Sequence, residues 1–201
     1  MTKQAQVDII LIGDHNNITE DCIESINRTS QCNIIVEPFD GYNKSLNEGA
    51  KKGSAKYIAF CNNDLIFHVN WLIPLIDALD VYDSVSPWCP STHDQWWKSV
   101  TPVKNYSSYE VGKCIAGWFI MMKRETWEKI GGFDERFEFW YADNSYGEQL
   151  KNLKLRHALI PASKVTHLQS TTLKTKSSSK QKDLTHDQRL VFEKYYGRNK
   201  R

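Results

Sequence analysis

The stretch VDIILI at residues 7–12 is a short apolar run that ends at Gly13. Such a run is typical of a strand buried on both faces, as in a parallel sheet covered by helices. An amphipathic helix, a β-branched run, a polar helix and a further strand follow it, at residues 19–29, 33–36, 42–53 and 56–61. This alternation predicts a doubly wound α/β sheet.

Polar residues follow three of the predicted strands. Ligands of doubly wound sheets bind beyond the carboxyl ends of the strands, which here fall at residues 13–17, 37–43 and 62–64. The last of these segments is Asn62, Asn63 and Asp64. A carboxylate at a strand end can hold a hard divalent cation that keeps positions for water and phosphates. The same residues are also typical of an Asx turn that closes a strand.

The second half of the chain continues the alternation around one irregular segment. Helices are predicted at residues 68–79, 124–130, 142–153 and 185–196, and strands at 85–87, 115–122, 156–160 and 165–167. Residues 88–112 show no periodicity and carry five Trp or Tyr side chains. An irregular segment of this length is uncommon in a compact domain, so we expect it to have a function.

Composition indicates one globular domain. The 201 residues are 40% hydrophobic and 25% charged, which excludes a disordered chain. The five cysteines are an odd number without a CxxC pair, so we interpret them as packing residues of a reduced, cytoplasmic protein. The apolar stretches fall well short of the roughly 18 to 20 residues of a membrane helix, so no membrane span is predicted.

Positive charge is concentrated at the end of the chain. Residues 174–201 carry nine basic and three acidic side chains, so a net charge of −4 remains for residues 1–173. A mildly acidic body with a basic end suits an anionic ligand held partly by a metal and partly by lysines. A solvated tail with no such role is the alternative interpretation.

Several motifs occur in one order along the chain. They are VDIILIG at residues 7–13, the run 47–64, residues 85–87, GWF at 117–119, Arg124, IGGFDE at 130–135, YAD at 141–143, Pro161, Val165, His167, Ser170 and FEKYYG at 192–197. Together they resemble family 2 glycosyltransferases of GT-A fold over nearly the whole chain. The resemblance implies an α/β fold, with a mixed, mainly parallel, Rossmann-like sheet flanked by helices.

The resemblance also implies a division of the chain. The GT-A catalytic domain is expected at residues 1–173, with a nucleotide-sugar half at about 1–67 and an acceptor half at about 84–173. Residues 174–201 are expected to form a basic Ser/Lys linker and a C-terminal helix that packs on this domain.

The metal and the catalytic base follow from the same resemblance. Asn62, Asn63 and Asp64 occupy the place of the family's DxD-like motif, so Asp64 is the expected metal ligand. His167 falls where the family often has a histidine that completes the metal or diphosphate contacts, although a buried core histidine is the alternative. The cofactor is Mn²⁺ or Mg²⁺, and an imidazole ligand favours Mn²⁺. Asp143 matches the catalytic base, and the helix N-terminus is expected to keep it ionised. Many members have an acid where this chain has Ala142.

Donor recognition is expected from polar groups at the strand ends and from the basic linker. UDP is the nucleotide that the resemblance favours. The family often has an aspartate just past the second strand to read the base, and here either Glu37 or Asp40 could serve. The full set of expected donor contacts is Gly13, Asp14, Glu37, Asp40, Asn43, Asn62, Asn63, Lys174 and Lys176.

The aromatic segment is expected to face the acceptor, because aromatic faces stack on sugars and on nucleobases alike. The alternative for its tryptophans is plain core packing. The expected acceptor contacts are Trp88, Trp96, Trp97, Gly117 and Trp118. The acceptor is a hydroxyl of a glycan, a protein or a modified nucleic acid.

These expectations describe a metal-dependent, inverting glycosyltransferase that uses a nucleoside-diphosphate sugar. One alternative is the same chemistry on a modified base in DNA. Another is a catalytically silent GT-A module that binds carbohydrate or nucleic acid. A nucleotide-transferring enzyme is disfavoured, because residues 13–17 form no glycine-rich basic loop.

Overall fold

A mixed eight-stranded sheet forms the centre of the part of the chain that the structure describes. The computed structural model describes residues 6–14, 16–98, 102–168 and 187–197. The strands are β1 (Val7–Ile12), β2 (Asn33–Glu37), β3 (Tyr57–Asn62), β4 (Leu65–Phe67), β5 (Ser84–Trp88), β6 (Tyr106–Ser107), β7 (Phe119–Lys123) and β8 (His157–His167). Their order is β2-β1-β3-β7-β5-β8-β4, with β6 also pairing with β8. Strand β1 is parallel to both its neighbours, and β7 is antiparallel to β3 and β5.

Helices cover the sheet. They are α1 (Asn17–Thr29), α2 (Tyr42–Lys52), α3 (Leu72–Ala78), α4 (Pro90–Trp97), α5 (Arg124–Ile130), α6 (Ala142–Asn152) and α7 (Gln188–Tyr196). The side chain of Asn16 caps α1 by accepting the N–H of Thr19. Helix α5 ends at Gly131, whose φ of 75° is the left-handed conformation that glycine adopts most readily. The mixed sheet flanked by helices confirms the predicted fold class.

Strand β1 is buried on both faces, as its sequence predicts. Ile9 and Leu11 belong to the hydrophobic cluster on one face, and Ile10 and Ile12 to the cluster on the other. Alternate residues of a strand point to opposite faces, so two separate cores are built from one short segment. These two cores fix β1 and its neighbour β3, whose carboxyl ends form the site described below.

Three predictions of secondary structure were wrong in detail. Residues 88–112 are not irregular throughout, because they include α4 and β6. Residues 115–118 precede β7 instead of belonging to it, and the two strands expected at 156–160 and 165–167 are one continuous β8. Strand β4 was missed, because three residues are too few to show a periodicity.

A buried ion pair joins β1 to the start of α5. Arg124 Nη2 lies 2.6 Å from Asp8 Oδ2, and Asp8 is almost fully buried. Arg124 also donates to the carbonyl oxygens of Ala50 and Ala55, and Asn33 donates to the other oxygen of Asp8. The charges are thus satisfied on both sides, as a buried pair requires.

Candidate active site

The pairing of β4 with β8 brings Asp64 beside His167. Leu65 is in register with His167, and the N–H of Leu168 donates to the carbonyl oxygen of Asp64 over 3.0 Å. His167 Nε2 lies 3.2 Å from Asp64 Oδ1. Both side chains are about nine-tenths buried. The two residues expected to bind the metal are therefore neighbours, although they are far apart in sequence.

This pair fits a divalent cation. Asp64 Oδ1 and His167 Nε2 approach each other to 3.2 Å without hydrogen-bond geometry, and both are buried without another partner. Buried polar atoms without a partner are costly, and one cation could bind both Asp64 Oδ1 and the Nε2 atom beside it. Carboxylate oxygen and imidazole nitrogen together suit a metal such as Mn²⁺ better than Mg²⁺. No group of three or more His, Cys, Asp or Glu ligands occurs among the described residues. Other oxygens, from water or a bound phosphate, would have to complete such a site.

The two asparagines before Asp64 are held by other protein groups. Asn63 Nδ2 donates to Thr19 Oγ1 over 2.8 Å and packs tightly on Gly13. Asn62 Oδ1 accepts a hydrogen bond from the hydroxyl of Tyr42 over 2.9 Å. These contacts shape the turn that carries Asp64.

Asp143 lies in the first turn of α6, next to a recess. Tyr141, the N-cap residue of α6, has a φ of 62°. Asp143 Oδ1 accepts a hydrogen bond from the N–H of Asn144 over 2.9 Å. Burial raises the pKa of Asp143 despite the backbone N–H groups that lower it. Desolvation therefore outweighs the helix N-terminus in setting the direction of this pKa shift, and ionisation of the carboxyl at working pH stays a prediction.

Two consecutive residues connect Asp143 to the pair formed by Asp64 and His167. A Cβ placed on Gly117 would lie 2.8 Å from Asp143 Oδ2, so the backbone at this position touches the carboxylate. The ring of Trp118 stacks on that of His167, with centroids 5.3 Å apart and planes inclined by 21°. Asp143 packs against Gly117 and His167 packs against Trp118, so both side chains lie against the same dipeptide. This dipeptide therefore lies between the expected catalytic base and the expected metal ligand His167.

Sequence reasoning missed Tyr42, whose hydroxyl lies between the two parts of the site. It donates to Gly117 O over 2.7 Å as well as to Asn62. Its segment was flagged as a polar strand end, but no pattern singled out a tyrosine. The recess beside Asp143 is lined by Tyr42, Asn43, Leu46, Gly117, Ile120, Phe133, Ala142 and Tyr146.

The expected donor contacts are spread around the ends of β1 and β2. The N–H of Gly13 donates to the carbonyl of Glu37, and Asp14 is exposed. Glu37 is buried and pairs with Lys52 over 2.6 Å, whereas Asp40 pairs with Lys44 at the surface.

The remaining expected donor contacts are Asn43, Lys174 and Lys176. Asn43 donates its side-chain amide to Asp134 O over 2.8 Å, so it also holds the turn after α5. Lys174 and Lys176 lie outside the described residues.

The expected acceptor tryptophans differ in exposure. Trp88 is 3% exposed and stacks on His93, and Trp97 packs edge-on against Trp88. Trp96 is 49% exposed and lies next to Gly112. Core packing therefore accounts for Trp88, while Trp96 presents a ring to solvent. Trp118 lies beside one expected metal ligand, through its stack on His167.

Comparison with known proteins bears on the family and the fold of the chain. The model of the family "Glycosyl transferase family 2" matches residues 3–134. No curated protein matches the chain. Among the described residues, no helix is long and apolar enough to cross a membrane.

Solved structures with the same fold include two glycosyltransferases. GalNAc-T7 with UDP, GalNAc and Mn²⁺ matches with a TM-score of 0.63 and 12% identity, over 83% of this chain and 44% of that one. The mannosyltransferase PcManGT from Pyrobaculum calidifontis, in complex with GDP-Man and Mn²⁺, matches with a TM-score of 0.62 and 13% identity, over 85% of this chain and 59% of that one. The chain thus spans about half the length of these proteins and has their GT-A fold. With a family match over about two thirds of its length, the chain belongs to glycosyl transferase family 2.

Proposed function

We propose that the chain is a metal-dependent, inverting glycosyltransferase that moves a sugar from a nucleoside diphosphate to a hydroxyl group. One observation carries the proposal: Gly117 contacts Asp143, and Trp118 stacks on His167. A base and a cation site held by adjacent residues can act on opposite sides of one sugar. Inverting transfer needs this arrangement, because the acceptor attacks the anomeric carbon from the side opposite to the leaving diphosphate.

Asp143 serves as the general base. The acceptor oxygen forms a bond to the anomeric carbon while its proton passes to the Asp143 carboxylate. The bond between that carbon and the diphosphate breaks, and its electron pair stays on the phosphate oxygen. Burial raises the pKa of Asp143, which brings it closer to the working pH and makes it a stronger base when ionised. General-base assistance of this kind is worth about 10²- to 10⁴-fold in rate.

Asp64 and His167 hold the cation, for which we propose Mn²⁺. When bound, the cation stabilises the negative charge that develops on the departing diphosphate. The stack of Trp118 on His167 restricts the imidazole plane and so supports keeping Nε2 beside Asp64. Asn62 and Asn63 hold the turn before Asp64 through their own hydrogen bonds.

UDP is the proposed donor nucleotide, and Trp96 is the proposed acceptor contact. The ligands of the two similar structures, UDP in one and GDP-Man in the other, support a nucleotide-sugar donor without choosing the base. Lys174 and Lys176 remain proposed phosphate contacts. The half-exposed ring of Trp96 suits stacking on a glycan, or on a modified base in nucleic acid.

The test separates chemistry from donor binding. Asp143→Asn should lower transfer about 10²- to 10⁴-fold while donor and Mn²⁺ binding, measured by calorimetry, stay close to wild type. Asp64→Ala should abolish the dependence of donor binding on Mn²⁺.

Asp40→Asn, at an exposed pair with Lys44, tests whether that acid reads the base, because only donor affinity should change. Release of no diphosphate from any nucleotide sugar by the wild-type protein would instead indicate a silent binding module.

A further inference from the structure

Tyr42 is placed at the junction between the two parts of the site. It is the first residue of α2 and follows Gly41, whose φ of 87° turns the chain into the helix. Its hydroxyl lies 2.9 Å from Asn62 Oδ1 and 2.7 Å from Gly117 O. Asn62 ends β3 two residues before Asp64, and Gly117 contacts Asp143. One phenol thus links the segment that carries the metal ligand to the segment that supports the base.

The hydrogen-bond chemistry defines the direction of this link. A carbonyl oxygen can only accept, so the single hydroxyl proton serves Gly117 O. Asn62 Oδ1 accepts from the same hydroxyl over the longer distance of 2.9 Å, so the two oxygens share its one proton in a bifurcated hydrogen bond. Burial raises the pKa of Tyr42 well above its usual range, and nearby negative charge, including that of Asp143 and Asp64, raises it further. The hydroxyl therefore keeps its proton at any working pH.

The ring of Tyr42 is held separately from its hydroxyl. It packs edge-on against Phe139, with centroids 6.4 Å apart, and its backbone N–H donates to Glu138 O over 2.6 Å. Phe139 and Glu138 belong to the segment that leads into Asp143. A phenylalanine at position 42 would keep these contacts and lose only the link to Asn62 and Gly117.

We propose that Tyr42 is a positioning residue for the transfer reaction, which sets the distance between the Asp64 turn and Asp143 through its hydrogen bonds to Asn62 and Gly117. This inference rests on the proposed function, since the distance matters only if both groups act on one substrate. Displacing reacting groups by about 1 Å costs up to about 10²-fold in rate. Tyr42 itself touches neither the proton nor the leaving group in this scheme.

The test is Tyr42→Phe, with Tyr109→Phe as its matched control. Tyr109 also donates its hydroxyl to one backbone carbonyl, that of Leu155, over 2.8 Å. We expect kcat of Tyr42→Phe to fall about 10- to 100-fold while the donor KM and the Mn²⁺ affinity change less than about threefold. Both variants should show similar thermal unfolding midpoints, because each loses hydroxyl hydrogen bonds and keeps its ring.

A double-mutant cycle tests the role through Asn62. Asn62→Ala should lower kcat in the wild-type background and much less in the Tyr42→Phe background, because the link is already broken there. Additive effects would overturn the proposal, as would turnover of Tyr42→Phe at the level of Tyr109→Phe. If the wild-type protein turns over no nucleotide sugar, the proposed function itself is overturned. If the wild type is active and only the Tyr42 results fail, the positioning role alone is overturned, so the two failures are distinguishable.

Discussion

Gly117→Ala tests the contact on which the site depends. The added Cβ would lie 2.8 Å from Asp143 Oδ2, 2.9 Å from Asp143 Cβ and 3.2 Å from Asp143 Cγ, where ordinary contacts begin at 3.4 Å. The shortfall is therefore about 0.6 Å at the oxygen and 0.5 Å at Cβ. Rotation of the carboxylate relieves the first clash but not the second, so the start of α6 or the Gly117 backbone has to move by about half an ångström.

The expected result is a loss of turnover with a preserved fold. A displacement approaching 1 Å costs up to about 10²-fold, so we expect kcat to fall about 10- to 100-fold. Overpacking of this size costs about 1 to 3 kcal/mol of unfolding free energy. The assay measures kcat and donor KM by diphosphate release, together with thermal unfolding.

Gly147→Ala is the matched control, because Gly147 lies on the same helix α6. Its added Cβ would meet Ile115 Cδ1 at 3.3 Å, the end of a flexible side chain, and Tyr109 O at 3.5 Å. Alanine is a better helix former than glycine by up to about 1 kcal/mol, so this variant should keep wild-type turnover and stability. Wild-type turnover in folded Gly117→Ala would refute the reasoning that Asp143 must keep its place beside Gly117.

Three further predictions concern charge and packing. Because burial raises the pKa of Asp143, ionising this carboxyl lowers the stability of the folded state as the pH rises through that pKa. Asp143→Asn should therefore have a higher thermal unfolding midpoint than wild type at pH 7, and this difference should close below pH 3.8, the ordinary pKa of an aspartate. The acid limb of the wild-type pH profile of kcat should lie above the same pH. Arg124→Met should cost about 3 to 5 kcal/mol in urea unfolding, because it leaves the buried Asp8 unpaired, whereas Arg28→Met at an exposed pair should change stability by under about 1 kcal/mol. Phe192→Ala should loosen α7 from the segment before Asp143, seen as faster hydrogen exchange in α7 and reduced kcat; wild-type exchange rates would contradict this role.

Local sequence was enough for the elements whose signals are complete within a few residues. The apolar run of β1 showed that this strand is covered on both faces, and the two glycines after Ile130 marked the end of α5. The roles of Asp64, Asp143 and His167 were expected from the family resemblance and stay predictions. Short or atypical elements were not predicted, since β4 has three residues and α4 has no clear apolar face.

The sequence by itself determined the α/β fold class and the family resemblance, because apolar periodicity and motif order are properties of neighbouring residues. Only the tertiary structure decided that Asp64 lies against His167, that Gly117 supports Asp143 and that Tyr42 joins them. Those contacts depend on the lateral register of β4 with β8 and on the packing of α2 and α6, which join residues far apart in the chain. The upward shift of the pKa of Asp143 likewise depends on burial by these distant segments, which outweighs the lowering effect of the backbone N–H groups at the helix end.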